Sequence, residues 1–497
     1  MKKGYKKLLS AVFCCAVFLL MFTAVSRFFM RKTSYIKNAD FYSYEGDFDV
    51  LFLGSSHMVM GISPMELWKE YGITSYNLAN HGQWIPVDYW ALKNALQYTT
   101  PKAVVLDVRA IDIDNNKYSP EHISQLHELF DAMPFGKMKI DAVKDLLPKD
   151  KWMEYLFNFS IYHTRWNEID ESFFGKAKPS PEKGAMLDNA DHYDEATVEE
   201  IDPPVLIEKD EMYLQETTGK EYLRKIIELC QENEIEIILT ALPYSPSDMY
   251  QRWLNSAAVI AEEYGAPYLD YNVEDTFVNF HTDYFDDAHL NSSGNRKATF
   301  VLGKYLAEEC GLGNSHDEKT ASVWDKDYKK YMKFKLNWLK QQDSLNSYLM
   351  LLCDKQFDIV VDIYNPDIWK DPSYVYLFEN LGVSMDQVTE DTDCIVIKKG
   401  GESAEALRGF HGSEGVVETS VGQLGLFIED MDEKGNVVSY GVYVDEKKRY
   451  SVPADEPADM RILVLKDENL KTCDFAAFSY TVEKQKKYKL TTTAVKR

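Results

Sequence analysis

Positive charge and cysteine are what this chain has least of. It has 497 residues, of which 55 are Lys or Arg and 80 are Asp or Glu, and its formal net charge is −25. Phosphate backbones are bound by Lys and Arg, so nucleic acid is not an expected partner. The same charge argues against docking on an anionic membrane surface, and its plain consequence is a soluble body. Seven cysteines are present, an odd number, and no two have metal-ligand spacing. No metal site is evident, and no cofactor is expected. Cys14 and Cys15 fall in an apolar run, and a Cys394–Cys473 disulfide stays open if both lie in one domain. The chain has no internal repeat and no low-complexity tract.

Only one long apolar run occurs. Leu8 to Ser26 carries no charge and is bounded by Lys7 and Arg27. At about 1.5 Å per residue it can cross the hydrocarbon core of a bilayer. The leader before it is basic, which favours an N-terminus inside and a body outside. A cleaved signal peptide, with Ala24-Val25-Ser26 as the small-residue site, is the competing reading. The run is long for that, so an uncleaved anchor over residues 1–32 is the expectation. Both readings place the rest of the chain outside the cytoplasm.

Beyond the run, strands and helices alternate. Asp49 to Gly54, Ser75 to Ala79, Ala103 to Val108, Ile235 to Thr240 and Pro267 to Tyr271 read as five short buried strands. Helices are expected at Ser63 to Gly72, Ile85 to Tyr98, Gly219 to Glu232, Asp248 to Tyr264 and Ser292 to Cys310. The first has a strong start, with Ser63 as N-cap, Pro64 in the first turn and Glu66 completing a capping box. This pattern predicts an α/β fold with a five-stranded parallel sheet between helical layers, over residues 44–312. Residues 115–218 interrupt it as an insertion, with the acidic, proline-containing stretch Asp188 to Glu211 inside. Asn314 to Lys329 reads as a linker and Tyr331 to Leu352 as a helix, together covering residues 313–352. Strand-like segments at Asp358–Tyr364, Cys394–Lys398, Gly415–Ile428, Val437–Val444 and Met460–Lys466 predict a strand-rich accessory domain over residues 353–497.

Two places carry chemistry. Ser56 follows the first strand in Leu51-Phe52-Leu53-Gly54-Ser55-Ser56. Ligands of parallel α/β sheets bind at the carboxyl ends of strands, so a serine there is well placed. A turn serine making local hydrogen bonds is the plainer explanation. More than two hundred residues later, Asp286-Asp287-Ala288-His289 sets a carboxylate three residues before an imidazole. Such a pair can share one side of a turn, the acid fixing the tautomer of the base. A helix cap with no further role is the alternative, and Asp287 is a rival acid. Serine, acid and base in that order are what nucleophilic acyl transfer requires.

On these residues the chain resembles the SGNH/GDSL hydrolase superfamily. Gly54-Ser55-Ser56 stands where the family has Gly-Asp-Ser, which implies Ser56 as nucleophile. Asn77-Leu78-Ala79-Asn80-His81-Gly82 matches the second block, which implies the Gly82 N–H as an oxyanion donor beside that of Ser56. Asp286-Asp287-Ala288-His289 matches the last block, D-x-x-H, which implies Asp286 as orienter and His289 as base. The family's flavodoxin-like core of five strands agrees with the strand count. One block departs: Ile111 falls where the third block carries an asparagine donor. The oxyanion hole must then rest on Ser56 and Gly82, or recruit Arg109 or Asn80.

The Gly-Ser-Ser-His form and the apolar leader are most similar to membrane-anchored, extracytoplasmic members from Gram-positive bacteria. Those work beside membrane-bound O-acyltransferases. The resemblance implies acyl transfer, with acetyl the expected group, through Ser56 onto a cell-envelope or secreted polysaccharide. The expected partners are such an acyltransferase, the polysaccharide and the membrane. An acetylesterase would use the same triad with water as acceptor, and a non-catalytic glycan-binding scaffold is the reading from a different class. A lipase is disfavoured by the acidic, polar insertion. His57, His81, Arg109, Arg165, Trp166 and Tyr244 are candidate substrate contacts, each with a packing role as the alternative. Phe410-His411-Gly412-Ser413-Glu414 in the tail is a candidate carbohydrate or docking motif.

Overall fold

The structure is a computed structural model. It describes residues 2–29, 32–114, 123, 125–157, 162–169, 173, 180–187, 207–273, 277–313, 316–401, 403–411, 415–454, 458–466, 471–483 and 489–496. Most of the Asp188 to Glu211 stretch and Gly412, Ser413 and Glu414 of the tail motif lie outside these residues. The chain forms two compact units. One gathers the described residues within 1–186, 204–276 and 299–328, the other those within 187–203, 277–298 and 329–497.

In the first unit, β1 (Val50–Leu53), β2 (Ser75–Asn77), β3 (Ala103–Asp107), β4 (Glu236–Ala241) and β5 (Tyr268–Asp270) form one parallel sheet in the order β2-β1-β3-β4-β5. This is the flavodoxin-like order, in which ligand crevices open where the winding reverses, beside β1 and β3. Val50 to Leu53 and Ala103 to Asp107 are buried throughout, as a sheet covered on both faces requires. The helix Pro64–Tyr71 starts as its local sequence dictates. Ser63 Oγ accepts the Glu66 N–H at 3.4 Å and Gly72 ends it. Further helices at Ile85–Ala95, Thr218–Glu232 and Asp248–Tyr264 agree with the periodicity. Among the described residues outside the insertion, two helices of this unit are additional: Lys32–Ser43, and the short Ser56–Gly61 that follows β1. The N-terminal helix Lys2–Phe29 contains a stretch, Tyr5–Ser26, long and apolar enough to cross a membrane.

In the second unit, β6 (Asp358–Ile363), β7 (Thr392–Ile397), β8 (Ala404–Arg408), β13 (Met460–Lys466), β14 (Lys471–Glu483) and β15 (Lys489–Lys496) make a six-stranded antiparallel sheet. β9 (Gly415–Thr419), β10 (Gly422–Met431), β11 (Val437–Val444) and β12 (Lys447–Pro453) make a four-stranded one. Val360, Val396, Leu424, Val442 and Leu463 belong to one apolar core cluster drawn from both sheets.

Three expectations need correction. The stretch from Asn314 to Lys329 is not an extended linker, because a helix runs over Glu318–Leu339. Most of its charges face water, Lys335 being buried against Asp354, while Trp324, Tyr331 and Trp338, seven residues apart, are buried. Gly415–Ile428 is two strands turning at Ser420 and Val421. Cys394 and Cys473 are both free thiols. They sit on β7 and β14, three strand steps or about 14 Å apart, and a disulfide spans at most about 7 Å between Cα atoms.

Candidate active site

Each unit carries part of the chemistry read from the sequence. In the first, β1 runs into Gly54, whose φ is +138°. A Cβ there would lie 2.8 Å from the Asp107 Cβ, so only glycine turns the chain at this point. The Gly54 N–H donates to Asp88 Oδ1 at 2.8 Å, and Gln83 Nε2 donates to the same oxygen at 2.6 Å. The Ser55 carbonyl accepts the N–H groups of Met58 and Val59 at 3.0 and 3.2 Å. This starts the helix Ser56–Gly61, so Ser56 is its first residue and is partly exposed.

The second block packs beside that turn. The Asn80 N–H donates to the Gly54 carbonyl at 3.3 Å, tying the two loops together. The Asn80 amide group donates to the Leu78 carbonyl at 3.2 Å and to Gln83 Oε1 at 2.5 Å. Its donors are spent inside the loop, so its part is to shape the loop. Asn80 Oδ1 accepts from Lys37 Nζ and Asn38 Nδ2, each at 3.3 Å, and Lys37 also donates to the Ala79 carbonyl. Burial pushes the Lys37 ammonium down to about 8, partly offset by the Glu128 carboxylate. Gly82 follows at φ +58°, with the Gln125 side chain against its Cα where a Cβ would stand. His81 is engaged by Glu128, whose oxygens accept its N–H at 3.0 Å and its Nδ1 at 3.2 Å.

At the end of β3 the missing asparagine has a physical reason. Ile111 is fully buried, and its carbonyl accepts Thr217 Oγ1 at 2.5 Å, where the helix Thr218–Glu232 begins. A polar side chain there would face the core. Arg109, two residues earlier, places its guanidinium 4.7 Å from the Tyr244 ring centre and 5.7 Å from that of Tyr250. Tyr250 Oη donates to the Arg109 carbonyl at 2.7 Å. The Arg109 side chain makes no ion pair with Asp107 or Asp112 among the described residues. His57 is buried edge-on against Tyr244, with ring centres 5.1 Å apart. Arg109, Tyr244 and His57 thus come together at the carboxyl end of the sheet. Arg165 and Trp166 belong to a separate place, beside the end of the N-terminal helix.

Two buried acids flank Gly54. Burial pushes Asp88 well above the usual carboxylate range, and Asp107 up to about 7. For Asp107 the Arg109 guanidinium and the N–H groups of Arg109 and Leu242 pull the other way without prevailing. An acid raised in the folded state holds its proton after the unfolded chain has lost one. Stability therefore falls as pH rises from about 4 to about 7, by up to about 4 kcal/mol. Asp107→Asn is expected to remove that fall. Urea midpoints measured at pH 4, 5.5 and 7.5 check it, and parallel profiles for the two proteins would refute it.

The second unit holds the acid and the base. Asp286 accepts the N–H groups of Ala288 and His289 at 2.9 and 2.7 Å. His289 Nδ1 lies 2.9 Å from both of its carboxylate oxygens. Because a carboxylate only accepts, Nδ1 carries the proton and Nε2 is the basic nitrogen. Burial alone would raise the Asp286 carboxyl, but the imidazole and the two N–H groups hold it below its ordinary value. Asp287 is exposed, and the carboxylate against the ring is that of Asp286. The Phe285 N–H donates to the His289 carbonyl at 2.8 Å, closing the turn. Asn291 caps the helix Ser292–Glu308, its Oδ1 accepting from the N–H groups of Ser293 and Gly294 at 3.0 and 3.2 Å.

Beneath this turn lies a residue that sequence reasoning did not reach. Asp283 is fully buried and accepts Lys297 Nζ and the Asn279 N–H at 2.6 Å each, Ser293 Oγ at 2.7 Å and Asn380 Nδ2 at 3.1 Å. Asn380 ends the helix Pro372–Asn380 of the C-terminal region. His281 stacks on Tyr376 of the same helix, with ring centres 4.2 Å apart. Asp88 had a detectable signal, an acid within the apolar start of a helix. Lys37, Glu128 and Asn380 had none, since their partners lie about forty to a hundred residues away.

No protein-family model matches the chain, and no curated protein matches it. Among solved structures it overlaps a putative acylhydrolase from Bacteroides fragilis at 12% identity, covering 55% of this chain and 95% of that one, with a TM-score of 0.28. A GDSL-like lipase from Bacteroides thetaiotaomicron overlaps at 12% identity, 53% and 88% coverage, and a TM-score of 0.26. An alpha/beta hydrolase enzyme from the metagenome of Lake Arreo, Spain, gives 12% identity, 55% and 100% coverage, and a TM-score of 0.25. These overlaps are slight. The strand order and the parallel pairing carry the fold.

Proposed function

We propose that this protein is a membrane-anchored, extracytoplasmic serine acyl-transfer enzyme that moves an acetyl group to a cell-envelope or secreted polysaccharide. The observation that carries the reading is the Asp286–His289 pair, an imidazole held by a carboxylate at Nδ1. In this reading His289 Nε2 takes the proton of Ser56 Oγ as the oxygen attacks the acyl carbonyl. The N–H groups of Ser56 and Gly82 receive the oxyanion, and such a donor contributes about 3 kcal/mol. Collapse expels the donor's oxygen, which leaves with the proton from His289. A sugar hydroxyl then takes the acyl group from Ser56 in the reverse sequence. Arg109, Tyr244 and His57 are the proposed acceptor contacts. A membrane-bound O-acyltransferase is the proposed source of the acyl group. Hydrolysis by water at the same serine is the alternative, and transfer differs from it only in the acceptor.

The test is acyl capture by the full-length protein in detergent micelles given p-nitrophenyl acetate. An acetyl adduct mapped to Ser56 by peptide mass, absent from Ser56→Ala, is the expected result. Acetate release that needs Ser56 but leaves no adduct would move the assignment to hydrolysis with fast deacylation, and neither release nor adduct would move it to a glycan-binding role. Adding candidate glycans to the acetylated protein then separates transfer from hydrolysis.

A further inference from the structure

The anchor does not leave the body as a bare tether. At its end, Phe28 and Phe29 pack on Phe173, with ring centres 5.6 and 6.4 Å apart. Arg165 Nη1 donates to the Phe29 carbonyl at 2.7 Å, and its guanidinium lies 4.6 Å from the Phe173 ring centre. Arg165 sits on the 3-10 helix His163–Asn167, so this turn of the insertion is fastened to the helix end. Next to it, Trp166 is 67% exposed and Ile169 43% exposed. They stand beside the end of the apolar helix, where their exposed apolar surface has a bilayer to meet.

The depth of that turn follows from helix geometry. The apolar stretch ends at Ser26, and Phe29 lies three residues on, a rise of about 4–5 Å. When the stretch fills the hydrocarbon core, the turn lies among the headgroups. That layer is where Trp is enriched, because its ring is apolar and its N–H finds polar partners. The same insertion exposes Phe135 and Phe157, packed together at 5.8 Å, and Met153. The net charge of −25 gives no electrostatic pull toward anionic lipid, so apolar and aromatic contact must supply the attraction.

We propose that the His163–Asn167 turn is a membrane seat, with Trp166 and Ile169 inserted in the interfacial layer of the bilayer beside the anchor. The proposal rests on the uncleaved-anchor part of the functional reading. The seat would hold the first unit down on the lipid surface, where an acyl donor delivered through the membrane arrives.

The experiment uses the full chain in phosphatidylcholine vesicles, plain or with acyl chains brominated near the carbonyl end or near the terminal methyl. An alkaline wash followed by flotation, with N-terminal mass analysis, first reads the anchor. The difference in emission between wild type and Trp166→Phe then reports Trp166 alone. It is expected to lose most of its intensity with bromine near the carbonyl end and to keep it with bromine near the methyl. Ile169→Trp in the Trp166→Phe background is expected to restore the quenched component. A difference spectrum untouched by either lipid, with the protein still floating, overturns the seat and leaves the anchor standing. A protein shorn of residues 1–26 and lost in the wash overturns both.

Discussion

Ser56→Ala and His289→Ala are each expected to cut acetyl release by about a thousandfold or more, and the double variant no further. In the proposed mechanism nucleophile and base act in one proton transfer, so removing either removes the step. Asp286→Asn should fall nearly as far, because an amide no longer holds the imidazole with its proton on Nδ1. Its oxygen can still accept the N–H groups of Ala288 and His289, so the turn persists and the loss is chemical. Steady-state rates on p-nitrophenyl acetate, with near-ultraviolet dichroism as a control on folding, decide this. Equal rates for wild type and His289→Ala would show that the histidine is not the base.

Asp283→Ala is expected to destabilise the protein by about 3–5 kcal/mol, because it breaks an ion pair at a fully buried carboxylate and leaves the buried donors around it without an acceptor. The ammonium of Lys297 would lose its counter-ion, and the Asn279 N–H, Ser293 hydroxyl and Asn380 amide would lose a shared acceptor. Whole domains are stable by only about 5–15 kcal/mol, so the unfolding midpoint should move visibly. Asp283→Asn, which keeps the shape but not the charge, should lie between the two. Urea titration measures the order, and a change within about 1 kcal/mol for the alanine variant would contradict it. Asp286 and His289 lie three and six residues beyond Asp283. The variant should therefore lose kcat before KM, as the turn loosens while the sheet end bearing Arg109 and Tyr244 is untouched.

What could be read from the sequence was local. Ser63, Pro64 and Glu66 specify a helix start within four residues, and Asp286 with His289 is a pair that one turn can close. Five short apolar runs between amphipathic helices carry the parallel sheet. The readings that missed depend on distant contacts or on patterns blurred by charge. Trp324, Tyr331 and Trp338 keep a seven-residue spacing, but the lysines and acids around them gave the look of a linker. β14 and β15 mix polar and apolar residues without clean alternation, and β15 stands at a sheet edge, where one side needs no apolar partner. Asn80 reads as a donor by position. Its actual bonds, to Gln83, Lys37 and Asn38, follow from a helix with no motif to mark it.

The interleaving of the two units bears on inheritance. Residues 277–298 cluster with the C-terminal region, so the chain passes out of the parallel-sheet unit and back before it reaches the tail. A recombination junction near residue 312 would part Asn380 from Asp283 and Tyr376 from His281. The tail is thus no detachable cassette for shuffling between genes. The turn that carries Asp286 and His289 is packed on the tail through Asn380 and Tyr376, so a change in the tail reaches that turn.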